Sequence, residues 1–239
     1  MELSVVVPVF NEQDNLKPLI DEIHAALKGR LDYEIIYVND GSTDETLATL
    51  ETLCRNDKHL RVLSHARSCG QSTAVRTGVK SARSPWIATL DGDGQNDPAD
   101  IPAMYSLVQQ EDRDPDLCMI AGWRRKRQDS ALKKFSSRLA NGVRARILKD
   151  DTPDTGCGLK LFSREAFLEL PYFDHMHRFL PALILRSGKK LQSVEVNHRP
   201  RHKGESKYGV HNRLWTGIVD MMGVLWLQRR GKRPDIREL

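Results

Sequence analysis

Trp86-Ile87-Ala88-Thr89-Leu90-Asp91-Gly92-Asp93-Gly94-Gln95 is an apolar, strand-like run that empties into two carboxylates spaced i, i+2 and then a carboxamide. At a strand end, or on the tight turn after it, that spacing lets Asp91 and Asp93 converge on one hard cation. Gly92 and Gly94 allow the backbone to come close to whatever the cation holds. Oxygen donors without imidazole or thiolate suit Mg²⁺ or Mn²⁺, which usually share their coordination with substrate phosphates. Asp and Gly are also ordinary turn residues, so the segment by itself reads first as a plain loop. Its neighbours have to decide.

Outward from this stretch, the chain alternates apolar strand-like runs with helical spacing. Leu3 to Val9 (LSVVVPV) is β-branched and continuous, as strands buried on both faces of a parallel sheet are. Asn11 offers a helix N-cap with acidic residues in the first turn, and Leu16, Leu19, Ile20, Ile23 and Leu27 follow at helical spacing. Tyr33 to Val38 is a second strand and Ser42 to Leu53 a second helix. Leu60 to Leu63 is a third strand, with a helix over about Gln71–Ser81. Ile87 to Leu90 forms the fourth strand, Asp97-Pro98 opens another helix with proline at its first position, and Leu117 to Ala121 is the fifth strand. Alternation at this spacing means βαβ units in a mostly parallel sheet, with ligands at the carboxyl ends of the strands. The turns Pro8–Glu12, Asn39–Asp44 and Asp91–Gln95 all follow strands and can meet at that edge. Beyond about residue 122 the pattern turns irregular and basic.

At 239 residues the chain is long enough for one large α/β domain, and 39% hydrophobic with 29% charged residues argues against global disorder. The net charge of +5 fits an anionic partner without choosing among phosphate, nucleic acid and a membrane surface. Cys54, Cys69, Cys118 and Cys157 lie far apart with no C-x-x-C pair, which disfavours a zinc site or disulfide framework and suits a reducing compartment. The start Met1-Glu2-Leu3-Ser4 has no basic leader, and no apolar run is long enough to span a bilayer.

The second turn, Asn39-Asp40-Gly41-Ser42-Thr43-Asp44, reads either as a turn with a helix cap or as a site where Asp40 accepts hydrogen bonds from a nucleotide. No G-x-G-x-x-G follows the first strand and no P-loop is present, which disfavours a dehydrogenase. Together, the V-V-P-V-F-N-E start, the N-D-G-S-T-D turn and the D-G-D-G-Q turn resemble the family-2 glycosyltransferases of the GT-A fold. The resemblance runs through most of the chain and is nearest to the polyprenyl-phosphate sugar transferases, the dolichol-phosphate mannose synthase type and its undecaprenyl-phosphate relatives. It implies a Rossmann-like, mostly parallel sheet flanked by helices. By motif, Pro8, Phe10, Glu12, Val38, Asp40 and Leu90 would line the nucleotide site, and Asp91, Asp93 and Gln95 would hold Mg²⁺ or Mn²⁺ against the donor diphosphate.

Later segments extend the resemblance. Gly122-Trp123-Arg124-Arg125 follows the fifth strand and Arg138 comes further on. Arginines in corresponding places of those relatives grip the phosphate of the lipid acceptor, which suits a bidentate, permanently charged guanidinium. Most of the cluster Arg124, Arg125, Lys126, Arg127, Lys133 and Lys134 reads as a solvated basic face; Arg124 and Arg138 are the functional candidates. Asp154-Thr155-Gly156-Cys157-Gly158-Leu159-Lys160-Leu161-Phe162 matches the family's D-x-x-x-G-[FL]-[RK]-hydrophobic segment, with Cys157 and Leu159 where serine and phenylalanine are frequent. Asp154 is either an active-site residue or a cap. Arg201-His202-Lys203-Gly204-Glu205-Ser206-Lys207-Tyr208 matches the subgroup's R-x-x-G-x-S-K-Y element, a loop able to fold over a diphosphate, with Arg201 and Lys207 as its phosphate contacts. His175 and His177 have no further ligand at a recognised spacing and read as surface or packing histidines.

Leu214 to Leu227 (LWTGIVDMMGVLWL) is apolar, interrupted by Asp220, flanked by Trp215 and Trp226, and followed by Arg229, Arg230, Lys232 and Arg233. It reads either as an amphipathic helix lying in the headgroup region or as a core or dimer-interface helix. The expected organisation is a catalytic domain over 1–210, with a nucleotide-sugar half (1–121) and an acceptor half (122–210), and a C-terminal amphipathic segment over 211–239. The expected activity is inverting, metal-dependent transfer of a sugar from a GDP- or UDP-sugar to a polyprenyl phosphate, by Asp91, Asp93, Arg124 and Arg138. Its expected place is peripheral on the cytoplasmic face of a membrane, with a membrane protein among its candidate partners and no nucleic acid. The rival readings are transfer to a saccharide or protein hydroxyl, with Asp154 as base, a nucleotidyltransferase, and a silent membrane-binding subunit.

Overall fold

The computed structural model describes residues 1–124, 144–150, 152–200, 210–231 and 237, with 210–214 described by backbone only. Arg138, Arg201 and Lys207 lie outside the described residues, as do Arg125, Lys126, Arg127, Lys133 and Lys134.

The β-branched run Leu3–Val9 forms strand β1, an interior strand of a seven-stranded sheet. Tyr33–Asn39 (β2) pairs parallel on one side of it and Trp86–Thr89 (β4) on the other, with Leu60–Ser64 (β3) beyond β2. Alternate residues of β1 face opposite ways: Val5, Val7 and Val9 enter one apolar cluster and Val6 the other. Both faces are therefore covered, which explains why β1 and β2 read as unbroken apolar runs. One layer contains Leu16–Leu27 (α1), Thr46–Arg55 (α2) and Ile101–Gln109 (α4). The other contains Gln71–Ser81 (α3), Arg164–Leu168 (α5), Leu180–Arg186 (α6) and Val210–Arg230 (α7).

The five expected strands are present with ends shifted by at most two residues, the last running to Trp123 (β5, Leu117–Trp123). Asp97 Oδ1 accepts from Ala99 N at 3.0 Å, capping a short 3₁₀ turn at Pro98–Asp100 that leads into α4. Two beginnings differ. Helix α1 starts at Leu16, after the acidic residues, and Asn11 is not its cap. Asn11 takes the left-handed conformation at φ 55° and bridges to the second turn: its N–H donates to Ser42 Oγ at 2.9 Å and its Oδ1 accepts from Thr43 N at 2.7 Å. Helix α2 starts at Thr46, where Asp44 Oδ1 accepts from Thr46 N. The residues between strand and helix are occupied in tying the two turns together, so neither helix begins at its first available cap.

Two strands were not read from the sequence. Lys160–Ser163 (β6) inserts antiparallel between β4 and β5, and Lys190–Glu195 (β7) pairs parallel with β5 at the edge. The strand order β3-β2-β1-β4-β6-β5-β7 thus carries one continuous sheet across residue 121. Because β6 runs backwards, its first residue lies beside the end of β4 and the C-terminal half of β5: Lys160 pairs with Thr89 and with Ala121.

Candidate active site

The chain leaves β4 into Asp91 with little freedom. Asp91 N donates to Asn96 Oδ1 at 3.1 Å, and Asp93 Oδ1 accepts from Gln95 N at 3.1 Å, which closes the turn. Gly92 lies against β1: a Cβ there would meet Val9 Cγ1 at 2.5 Å. The half-buried Asp91 accepts from Gln71 Nε2 at 2.9 Å on Oδ1, so the first residue of α3 orients one of its oxygens. On its other side stands Gly158, where a Cβ would come within 2.2 Å of Asp91 Oδ2 and 2.6 Å of Asn96 Oδ1. Only a glycine leaves that carboxylate its place.

The segment 154–160 brings the rest. Arg124, just after β5, binds Asp154 through both arms, Nε to Oδ2 at 2.6 Å and Nη2 to Oδ1 at 2.9 Å, with both side chains nearly buried. Burial disfavours the guanidinium charge, but the Asp154 bonds outweigh it and hold the Arg124 pKa above its ordinary value. The Lys160 side chain is 5% exposed and its Nζ donates to Cys157 O. Burial pulls the Lys160 pKa below its ordinary value, against the opposing influence of Cys157, Asp91 and Asp154. Burial, with the Asp93 charge beside it, pushes the Asp91 carboxyl up, while Lys160, Arg124 and Gln71 act in the other direction. Two carboxylates side by side, with fixed cations behind one of them, form a site in which a further dication relieves the repulsion.

This donor set fits a hard divalent cation. Asp91 and Asp93 offer carboxylate oxygens on one turn, no imidazole or thiolate competes on that turn, and the Gly158 cradle keeps the Asp91 oxygen accessible. Gln95 stands on the same turn, where its carbonyl accepts from Arg199 N at 3.0 Å.

The nucleotide-side residues divide. Pro8 and Phe10, at the end of β1, are partly exposed at the edge, as is Glu12, whose N–H donates to Thr46 Oγ1 at 2.9 Å. Val38 and Leu90 are 0% and 1% exposed, so their side chains pack into the core rather than line a pocket. Central strands of a doubly covered sheet leave no other direction for them. Asp40, the residue expected to accept from a nucleotide, has oxygens that accept from Cys69 N (2.9 Å), Gly70 N (2.9 Å) and Ser68 Oγ (2.8 Å), and pair with His65 Nδ1 (2.7 Å). Burial raises its pKa, yet these bonds outweigh it and leave the carboxyl below its ordinary value. Asp40, His65 and Cys69 are close enough to suggest a metal cluster, but the carboxylate is already filled by the loop it organises.

His177 is partly buried, its Nδ1 2.7 Å from Ser72 Oγ, and desolvation beside Arg178, Lys160 and His175 lowers its pKa to about 3. It is a neutral packing group, and His175 pairs with Asp220 of α7 at 3.0 Å. Gln71 and Lys160 are the site residues that sequence reasoning did not single out. Lys160 had a signal in its motif; Gln71, 20 residues from its partner, had none.

Comparison with known proteins follows the same lines. The profile of the family described as Glycosyl transferase family 2 matches residues 4–170. Dodecaprenyl-phosphate galacturonate synthase of Rhizobium johnstonii is 36% identical over 239 residues, covering 98% of this chain and 69% of the relative. Undecaprenyl-phosphate 4-deoxy-4-formamido-L-arabinose transferase of Yersinia pestis is 33% identical over 211 residues, covering 87% of this chain and 63% of the relative. The chain thus spans less than two thirds of the second relative's length. Among solved structures, glucosyl-3-phosphoglycerate synthase from Mycobacterium tuberculosis, in complex with Mn²⁺, UDP and glucosyl-3-phosphoglycerate, superposes with a TM-score of 0.70 at 17% identity. It covers 95% of this chain and 79% of that one, a likeness of fold.

Proposed function

This chain belongs to glycosyl transferase family 2, and from that footing we propose that it transfers a sugar from a nucleoside-diphosphate sugar to a polyprenyl phosphate, with inversion at the anomeric carbon. The observation that carries the proposal is the meeting, at one sheet edge, of the Asp91–Asp93 turn with the cationic group Arg124 and Lys160. Two relatives named for polyprenyl-phosphate sugar transfer, each a third identical, support the acceptor class.

In this reading Asp91, Asp93 and Gln95 hold Mg²⁺ or Mn²⁺, with Gln71 fixing the Asp91 oxygen that faces away from Gly158. The bound cation supplies positive charge where the leaving nucleoside diphosphate becomes more negative. Pro8, Phe10 and Glu12 flank the nucleoside, and Asp40 shapes that pocket by organising the loop 65–70. Arg124 stays charged and directed because Asp154 grips it from behind, which leaves its outer edge to an acceptor phosphate. Lys160, buried among Asp91 and Asp154, offsets the carboxylate charge at the back of the site. Arg138, Arg201 and Lys207 keep the phosphate-binding roles that their motifs imply. Holding two anions in line on either side of the sugar is the main contribution to rate. A phosphate acceptor is already ionised near neutral pH, so no general base is required.

Transfer to a hydroxyl would need such a base. Asp154, the candidate for that base, is 4% exposed and committed to Arg124, which favours the phosphate acceptor. The test is one assay matrix. Purified protein with Mg²⁺ or Mn²⁺ and labelled nucleotide sugars, including a uronic acid and amino-pentose donors, is incubated with and without undecaprenyl or dolichyl phosphate. Lipid-extractable label that depends on the polyprenyl phosphate is expected. Label transfer indifferent to it, or release of pyrophosphate in place of nucleoside diphosphate, refutes the proposal.

A further inference from the structure

Helix α7 has two unlike faces. On its inner face Val224 is fully buried, and Met221, Leu225 and Leu227 pack against the core layer of α3, α5 and α6. The same face is pinned by polar contacts: Asp220 Oδ2 to His175 Nδ1 at 3.0 Å, Arg186 Nε to Leu227 O at 2.8 Å, and Gln228 Nε2 to Leu148 O at 2.8 Å. On its outer face Trp215, Val219, Met222 and Trp226 are 73%, 58%, 65% and 58% exposed. Steps of four, three and four residues at 3.6 per turn keep all of them within a stripe of about 60°. Among the described residues, the other exposed large hydrophobics are Met1 and Tyr172, so the apolar surface is concentrated here. A contiguous patch of this kind marks a surface meant to be covered. Exposed Arg229 and Arg230 adjoin it, and Lys232 and Arg233 follow in a chain of net charge +5.

We propose that this stripe docks the protein on an anionic bilayer, lying in the headgroup region with Trp215 and Trp226 as its two anchors. The proposal rests on the function given above, because a polyprenyl phosphate has to be met at the membrane. A narrow apolar stripe between aromatic anchors, with cations at one end, matches the charge and depth of a lipid headgroup layer. It matches a second copy of the chain less well, since stable interfaces engage roughly 20–30 residues a side. The inner clamp gives the docking a consequence for the site. His175, which holds Asp220, lies two residues before His177, whose ring bonds Ser72; Ser72 follows Gln71, which donates to Asp91. The docked helix thereby sets the orientation of the Asp91 turn relative to the membrane plane.

The test uses the full chain, the variants Trp215→Ser/Trp226→Ser and Arg229→Gln/Arg230→Gln, and vesicles of phosphatidylcholine with or without phosphatidylglycerol. Wild type is expected to co-sediment with the anionic vesicles and to bind the neutral ones several-fold more weakly. The tryptophan variant is expected to lose about tenfold or more in partitioning. Its transfer to vesicle-embedded undecaprenyl phosphate should fall in parallel, while transfer to a water-soluble short-chain polyprenyl phosphate stays at the wild-type rate. The arginine variant should lose about tenfold on anionic vesicles at low salt. Unchanged partitioning of the tryptophan variant overturns the proposal. So does a wild-type dimer that the tryptophan variant converts to monomer with no change in vesicle binding. Absence of transfer to either acceptor by wild type counts against the enzymatic reading, whereas the sedimentation arm decides the docking separately.

Discussion

Replacing Gly158 by alanine puts the shared site under direct test. The added methyl would stand 2.2 Å from Asp91 Oδ2, 2.4 Å from Asp91 Cγ and 2.6 Å from Asn96 Oδ1. Ordinary carbon–oxygen contacts begin at about 3.3 Å, so relief requires a shift of about 1 Å. Little can give way. Asp91 Oδ1 is held by Gln71, Asp91 N is bonded to the same Asn96 oxygen that the methyl meets, and β6, two residues on, is laddered on both sides. The carboxylate is the end free to swing, and a displacement of about 1 Å in a positioned group costs about a hundredfold in rate. That is about 2.7 kcal/mol of barrier. Overpacking should cost a further ~1–3 kcal/mol of stability, a fall in Tm of about 2–12 °C for a chain of this size. The expected variant is thus folded at assay temperature, about a hundredfold slower in single-turnover transfer to polyprenyl phosphate, and weaker in Mn²⁺ titration. Gly223→Ala on α7, with nothing within 4 Å of its Cβ, is the matched control and should leave turnover unchanged. A folded Gly158→Ala protein that turns over within about threefold of wild type, below the hundredfold loss worked from a 1 Å shift, would refute the placement of Asp91 in the chemistry.

Other perturbations separate the parts of the site. Gln71→Ala removes one hydrogen bond to Asp91 and should lower turnover about fivefold to tenfold with little change in Tm, checked by kinetics and a melt. Asp154→Asn leaves the Arg124 charge nearly buried without its counter-ion, so a loss of about 3 kcal/mol in urea unfolding is expected, together with a raised KM for the lipid phosphate. Wild-type stability in that variant would contradict the clamp. Away from the site, burial raises the pKa of Glu34, but bonds from Ser4 Oγ, Arg83 N and Arg61 outweigh it and hold the carboxyl below its ordinary value. A depressed folded pKa stabilises above the unfolded value of about 4.3, and that contribution is lost as pH falls through the folded one. Glu34→Gln should therefore cost about 2 kcal/mol at pH 7 and progressively less in acid; a difference from wild type that does not shrink on acidification would contradict this.

Periodicity carried the first half of the chain well, because its strands are buried on both faces and its helices on one. Leu16, Leu19, Ile20, Ile23 and Leu27 are all buried as their spacing predicts. The misreadings have one physical cause: local preference was outbid by contacts distant in sequence. Asn11 is a good N-cap that is instead spent on Ser42 and Thr43, and helix α2 starts at Thr46, past Ser42, where Asp44 accepts from Thr46 N. β6 is four residues long and β7 lies at an exposed edge, so neither has the apolar run that announces a central strand. In the site, motif resemblance could name Asp91, Asp93 and Arg124. It could not show that Asp154 grips Arg124 from behind, nor that Gln71 reaches across to Asp91, because both are pairings of side chains between elements that no period connects.

The backward strand β6 bears on how such a protein can change its substrate. Because β6 fills the gap between β4 and β5, the sequences before and after residue 121 are woven into one sheet. Replacement of the sequence after residue 121 by an unrelated one would leave β4 and β5 without β6 between them and Asp91 without Gly158. A new acceptor cannot be acquired by recombination of modules at that point. It has to be reached by point changes in the loops around a fixed weave, a slower route along which each intermediate must still fold.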